Sequence, residues 1–383
     1  PLKVTAMERD MVFMRMALRL ARKGSGMTHP NPMVGAVVVK DGEVVGKGYH
    51  RGPGTHHAEA MALEEAGELA VGSTLYVTLE PCNHHGRTPP CTEAILARGV
   101  SRVVMAMRDP NPHVAGGGAD RLREAGLRVE EGVLRREAAE LNKGYLSLVL
   151  RGRPWLTVKM ASTADGKAAA PDGNSRWITG EEARRMVHRM RRECDAVMVG
   201  SGTAIRDDPE LTVRMVSLGR GRPPRRVVVD SRLRLPLEGR LAMGGDPPVL
   251  VAVAEEHDRR AAEVLRSRGV EVLQCGNGDS VDLHLLLRML GERGVAHLLV
   301  EGGPHLVGSL FREGLVDEVV LFLAPRVLGN PEAPDWVTGL NINSLTGAWE
   351  MRWTELRRTG KDLMLRARPI GGWDPAAQVC PGI

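Results

Sequence analysis

The chain has 383 residues, 43% apolar and 26% charged, with a formal net charge of +5. That length allows two or three domains with cores of their own, and the balance excludes a disordered or fibrous chain. No run of about eighteen apolar residues exists, so no membrane-spanning helix is expected. The first residues, "PLKVTAMERDM", lack the apolar centre of a signal peptide. Five cysteines, at 82, 91, 194, 275 and 380, are too few and scattered for a disulfide framework and point to a reducing cytoplasm. The basic residues are mostly arginines spread along the chain, read as a solvated surface or as the mark of an anionic partner. Aromatic residues are only 3%, which argues against a single-strand nucleic-acid binder with its stacking platforms.

In chain order, residues 7–23 carry apolar side chains at helical spacing and "GSG" stops the helix. "MVGAVVVKDGEVVGKGYH" reads as two strands around the Asp41-Gly42 turn. A helix is expected from about 57 to 66, a strand at 73–80, and a helix from Cys91 leading into the strand "SRVVMAM". Then come a helix at 118–125, the strand "LRVEEG" and a helix at 134–149. Arg-Gly-Arg-Pro interrupts the pattern after Leu150, which sets domains at 1–150 and 151–370 and a loose tail at 371–383. In the second half strands are expected at 155–161, 195–199, 226–230, 248–253, 296–300 and 317–323, and helices at 180–192, 256–268, 281–291 and 304–313. Both halves are α/β, the first with a mixed sheet.

Chemistry gathers first at "GTHHAEAMALEEAG" (54–67) and "LEPCNHHGRTPPC" (79–91). His57 heads a helix, Cys82 follows a strand end, and Cys91 starts the next helix, where a thiolate is favoured. One imidazole and two thiolates suit zinc and leave a fourth position for water. Glu59, two residues past His57, can then face that water, take its proton and deliver it to a leaving amine, which is the logic of the zinc deaminases. Structural zinc stays open, since His84 or His85 could supply a fourth ligand. His56 and His57 point about 100° apart on a helix, so only one ligates, and the spacing to Glu59 selects His57.

The run "PCNHHGRTPPC", with "HPNPMVGAVVV" before it and "RDPNPHVAGGG" after it, resembles the N-terminal domain of the bifunctional deaminase–reductases of riboflavin biosynthesis. Eight residues between the cysteines, rather than two, depart from the broader cytidine-deaminase pattern but match this family. The resemblance implies a cytidine-deaminase-like α/β/α domain in which Asn31, His50, His84 and Arg87 touch the substrate. Asn31 can read polar ring edges and Arg87 can meet a phosphate. For His50 and Asn31 plain turn chemistry is the alternative.

The second half has no G-x-G-x-x-G after a strand, so a Rossmann site is unsupported. It does carry polar clusters at strand ends: "KMASTADGK", "NSRWITG", "GSGTAIRDDPELTVR", "VVVDSRLR" and "VEGGPHLVGSL". Open α/β sheets gather ligands at the carboxyl ends of their strands. Gly302 and Gly303 allow close backbone approach, and the helix after them offers N–H groups to phosphate. These stretches resemble the reductase half of the same family, over roughly residues 155–330. That implies a dihydrofolate-reductase-like fold and NADPH. By resemblance Ala161, Trp177, Thr203, Asp207, Ser231 and the turn from Gly303 and Pro304 to Ser309 line the cofactor site. Lys159, Ser175, Arg191, Leu211, Arg214 and Glu301 hold the substrate. Taken alone, Trp177 reads equally as a core residue and Arg191 as a solvated helix face.

The expectation is therefore a two-domain, zinc- and NADPH-using cytoplasmic enzyme, homo-oligomeric, that acts on a phosphorylated pyrimidine. It deaminates a phosphoribosylated diaminopyrimidinone and then reduces the ribosylamino group to ribitylamino. The rivals are a tRNA or polynucleotide deaminase with an accessory α/β domain, and a non-catalytic module with structural zinc.

Overall fold

The computed structural model describes residues 5–84, 89–112, 117–175 and 177–379. Two compact units divide between Gly152 and Arg153, and the chain from Asp374 onward belongs again to the first.

The first unit is built from α1 (Ala6–Ala21), β1 (Gly35–Lys40), β2 (Glu43–Tyr49), α2 (Ala58–Ala66), β3 (Thr74–Val77), α3 (Cys91–Ala97), β4 (Arg102–Met105), α4 (Gly118–Glu124), β5 (Arg128–Glu131), α5 (Arg135–Leu141) and α6 (Lys143–Arg151). The sheet order is β2-β1-β3-β4-β5. β1 pairs antiparallel with β2 and β3, while β3, β4 and β5 run parallel. Alternation along β1 splits its side chains between two faces. Ala36 and Val38 join the core under α2, α3 and α4, whereas Gly35 lies directly under Ala17 of α1. Helices thus cover both faces, in agreement with the expected α/β/α layers. α1 starts with a capping box in which Thr5 and Glu8 satisfy each other's backbone N–H groups.

The second unit contains β6 (Trp155–Thr163), α7 (Glu181–Glu193), β7 (Ala196–Gly200), α8 (Ser201–Asp207), β8 (Arg225–Val229), β9 (Val249–Val253), α9 (Arg259–Ser267), β10 (Glu271–Gln274), α10 (Leu283–Glu292), β11 (His297–Val300), α11 (Pro304–Arg312), β12 (Glu318–Ala324), β13 (Met351–Thr359) and β14 (Asp362–Pro369). Its sheet order is β10-β9-β8-β7-β11-β6-β12-β14-β13, parallel except for the last two pairings. Leucines of α10 and α11 pack on one face, and α8 and α9 close the other. From β7 the chain steps outward through β8, β9 and β10 and returns to place β11 between β7 and β6. That reversal opens a crevice at the strands' carboxyl ends.

Several expectations need correction. The strand expected at 73–80 ends at Val77, and the helix expected at 134–149 breaks at Asn142, whose side chain leaves the helix to bond the Met33 backbone. The tail expected to be loose forms α12 (Pro375–Gln378), capped by Asp374, with Pro375 and Ala376 buried. α8, β10, β13 and β14 stand where no element was expected. Among the described residues no helix is long and apolar enough to cross a membrane.

Candidate active sites

In the first unit His57 is the N-cap of α2, with extended backbone (φ −70°, ψ 158°), and Cys91 is the first residue of α3. Cys82 lies beyond β3. The segment holding it is fastened to α3, because Cys91 N–H donates to Cys82 Sγ (3.3 Å) and Thr92 N–H to Cys82 O (3.2 Å). His57 Nδ1 stands 3.1 Å from Cys91 Sγ and 3.5 Å from Cys82 Sγ, and the three ligand atoms all lie within 4.8 Å of one another. The Cys82 thiol is held down to about 4, first by the hydrogen bond from Cys91, against burial, and then by His57. The bond to Cys82, reinforced by burial, pushes the Cys91 thiol up in turn. Two sulfurs sharing a proton beside an imidazole are a donor set that a divalent soft or borderline cation fits by replacing the proton.

Glu59 is in the first turn of α2 and only 4% exposed. Burial, reinforced by the charge of Cys82 and opposed by His57, pushes its pKa up to about 7. Beside it is a cavity of about 220 Å³ whose wall includes Asn31, His50, His57, Glu59, Cys82 and His84. Asn31 Nδ2 is 3.4 Å from His50 Nε2, and the His50 and His57 rings meet edge to face at 5.8 Å. Burial and then the His57 charge lower the His50 pKa. Arg87 and His85 lie outside the described residues.

Four polar wall residues were not singled out from the sequence: Glu80, Asp109, Asn111 and Tyr145. Glu80 accepts from the N–H groups of Asp109 (3.1 Å) and Ala119 (2.9 Å). Asp109 accepts from Tyr145 O–H (2.7 Å) and Asn111 N–H (3.0 Å). A sequence signal existed. Pro-Asn-Pro occurs at 30–32 and again at 110–112, and both copies contribute to this one wall.

In the second unit a cavity of about 520 Å³ opens at the crevice. Lys159 and Ala161, two apart on β6, face it together, and Ser175, Trp177, Thr203, Asp207, Glu301, Gly303 and Pro304 join them. A second cavity, about 1020 Å³, shares Thr203, Arg206, Gly303, Pro304 and His305 with the first and adds Ser231, Arg234 and Ser309. Gly302 takes φ 93°, a conformation that favours glycine. A Cβ on Gly303, the N-cap of α11, would stand 3.2 Å from Thr203 Oγ1. A glycine cradle before a nine-residue helix, with cationic side chains along two joined cavities, fits an elongated, phosphate-rich dinucleotide.

Two ambiguous residues resolve. Trp177 is 61% exposed, with the Arg184 guanidinium 4.2 Å from its ring centre, so it is not a core residue. Arg191 is no solvated face: its Nε and Nη2 donate to Glu301 at 2.5 and 2.9 Å. Lys159 Nζ reaches the same carboxylate at 3.5 Å. Leu211 is not brought to the cavity by its side chain, which is buried among core residues. Arg214 is half exposed and paired with Glu210.

Residues 154–365 match the family described as the RibD C-terminal domain, and residues 7–107 match the cytidine and deoxycytidylate deaminase zinc-binding region. The riboflavin biosynthesis protein RibD of Aquifex aeolicus is 44% identical over 358 residues, covering 94% of this chain and 98% of that protein. The Escherichia coli protein of the same name is 42% identical over 367 residues, with 93% and 98% covered. Among solved structures, RibD of Acinetobacter baumannii has a TM-score of 0.86 at 37% identity, covering 95% of this chain and 99% of that one. The diaminohydroxyphosphoribosylaminopyrimidine deaminase/5-amino-6-(5-phosphoribosylamino)uracil reductase of Thermotoga maritima has a TM-score of 0.83 at 36% identity, with 95% and 100% covered. Both halves are matched together and almost end to end, and zinc and NADPH are the cofactors that go with them. The chain belongs to the RibD family of bifunctional riboflavin-biosynthesis enzymes, a zinc-dependent deaminase joined to an NADPH-dependent reductase.

Proposed function

We propose that the unit ending at Gly152 deaminates the diaminohydroxyphosphoribosylaminopyrimidine named for the Thermotoga relative, and that the unit Arg153–Trp373 reduces 5-amino-6-(5-phosphoribosylamino)uracil. The observation that carries this reading is one imidazole nitrogen and two sulfurs within 4.8 Å beside a buried carboxylate. His57, Cys82 and Cys91 hold the zinc ion. Bound there, zinc supplies a Lewis acid that makes a water nucleophilic near neutral pH. Glu59 takes a proton from the attacking water at its carboxylate and hands it to the departing amine. A carboxyl raised to about 7 can do both. Water oxygen replaces the ring amine, and ammonia leaves. Asn31, His50 and His84 meet the ring and its substituents, and Arg87 meets the phosphate.

In the reductase, NADPH supplies the hydride. Ala161, Trp177, Thr203, Asp207, Ser231, Gly303 and Pro304 hold it. Lys159, Ser175 and Glu301 contact the ribosyl group, while Arg191 holds the Glu301 carboxylate in place. Leu211 and Arg214 border the substrate from the loop after α8. Burying donor and acceptor in one crevice supplies orientation and keeps water out.

The experiment is Glu59→Ala. Ammonia release should disappear, while NADPH oxidation on the deaminated intermediate persists. Deamination at the wild-type rate would remove Glu59 from its role.

The working form is a homo-oligomer in a reducing cytoplasm, without nucleic acid. A thiolate-rich zinc set suits that compartment, and a deaminase cavity of about 220 Å³ suits one ring rather than a polynucleotide. Support for a second copy comes from β13, the sheet's edge strand, whose side chains from 352 to 358 are all exposed. An antiparallel pairing of two such strands centred on Leu356 sets Glu355 opposite Arg357, so the edge is complementary to itself. Sedimentation velocity checks it: a monomer at every concentration would remove the oligomer, and Leu356→Lys should weaken it.

A further inference from the structure

Two residues of one short loop in the reductase unit, neither of them glycine, sit at positive φ: Asp208 (38°) and Leu211 (54°). Such geometry persists only where its surroundings impose it. Four contacts do so here. Leu211 is buried in the core, and Arg240 N–H donates to Asp208 Oδ1 at 2.7 Å. Arg191 Nη1 donates to Thr212 O at 2.8 Å, and Arg214 N–H donates to His188 Nδ1 at 3.1 Å. The last two anchors are three residues apart on α7 and therefore share a face. Arg191 also grips Glu301 in the cavity wall, so one side chain of this face ties the loop to the wall.

His188 is 6% exposed and has no part in the chemistry above. A backbone N–H can only donate, so Nδ1 must carry the lone pair, with the imidazole neutral and its proton on Nε2. Burial and then the Arg191 charge hold its pKa down near 4, with Glu301 opposing and Arg214 and Lys159 assisting. We propose that His188 is a positioning residue of the reductase, whose Nδ1 fixes the Arg214 backbone and thereby the loop that presents residues 211–214 to the phosphorylated substrate. This rests on the reading that the loop borders the substrate.

His188→Leu keeps much of the volume and removes the acceptor. His188→Asn returns an acceptor oxygen near the place of Nδ1. Both are compared with Arg214→Ala in the full chain, with ammonia release as the internal control. In His188→Leu the KM for the deaminated pyrimidine should rise about tenfold, the scale of stranding one buried donor. Its kcat and its KM for NADPH should stay within about twofold, and His188→Asn should recover most of the loss. Arg214→Ala should raise the same KM. If Arg214→Ala does so and His188→Leu does not, the positioning role is overturned while the substrate reading stands. If neither variant moves that KM, the substrate reading falls and takes the proposal with it. A joint loss of kcat and both KM values in His188→Leu, unrelieved in His188→Asn, would make His188 a packing residue and overturn the proposal.

Discussion

Glu301 carries opposing forces in a single side chain. Burial favours its neutral form, but Arg191 and Lys159 outweigh burial and bring its pKa from 4.5 down to about 2. The folded value lies below the unfolded one, so the stabilisation is complete above about pH 4.5 and is lost as pH falls toward 2. The gap corresponds to about 3 kcal/mol. Glu301→Gln should therefore be less stable than wild type at pH 7, with a difference that shrinks between pH 4.5 and 2. Urea midpoints across that range check it, and a pH-independent difference would refute the ionic origin. This carboxylate was legible in the sequence only through resemblance, since "VEGGP" alone says nothing about which cations will face it. The donor set His57, Cys82 and Cys91 was legible from chemistry and spacing, because few residue types serve zinc. Tyr145 and Asp109 were not legible, because their 2.7 Å bond joins a helix to a loop 36 positions away.

At the scale of elements, α2 owes its seat to absent side chains. Gly46 and Gly48 alternate onto the inner face of β2, and a Cβ on either would come within 2.1 Å of a carbonyl of α2, Ala62 O and Ala58 O respectively. Ala58 directly follows His57, so Gly48 sets how deeply the first turn, with His57 and Glu59, enters the site. Gly48→Ala should push that turn outward at an overpacking cost of about 1–3 kcal/mol. Bound zinc and ammonia release should fall together, while NADPH oxidation on the deaminated substrate stays intact. Full zinc occupancy in the variant, by atomic absorption, would mean that the helix withdraws without moving its ligand. Most helices and buried strands could be read from periodicity, because a one-sided core imposes it. β13 could not: in "MRWTELRRT" Met351 and Trp353 alternate but Leu356 falls out of phase, because the register against β14 shifts between Trp353 and Glu355. α8 begins Ser-Gly-Thr and reads as a loop, and only its place after β7 makes it a helix.

For the whole molecule, chain order and spatial order part company at Trp373. The chain leaves the first unit at Gly152, builds the reductase, and returns from Asp374 to the first unit. There α12 packs against α5 and α6, Pro375, Ala376 and Val379 are buried, and Asp374 pairs with Arg136 at 3.7 Å. A segment covalently continuous with the reductase thus completes the core of the deaminase unit. The burial of these few small side chains contributes about 2–3 kcal/mol, a sizeable share of a domain's net stability. Ending the chain at Trp373 should therefore harm the unit farther away in sequence. The temperature at which ammonia release is lost should fall by about 5–10 °C, while the thermal profile of NADPH oxidation stays in place. Measuring both activities on one preparation after graded heating separates the outcomes. If the two profiles fell equally, or only the reductase profile fell, the returning segment would be an extension of the reductase and not a part of the deaminase core.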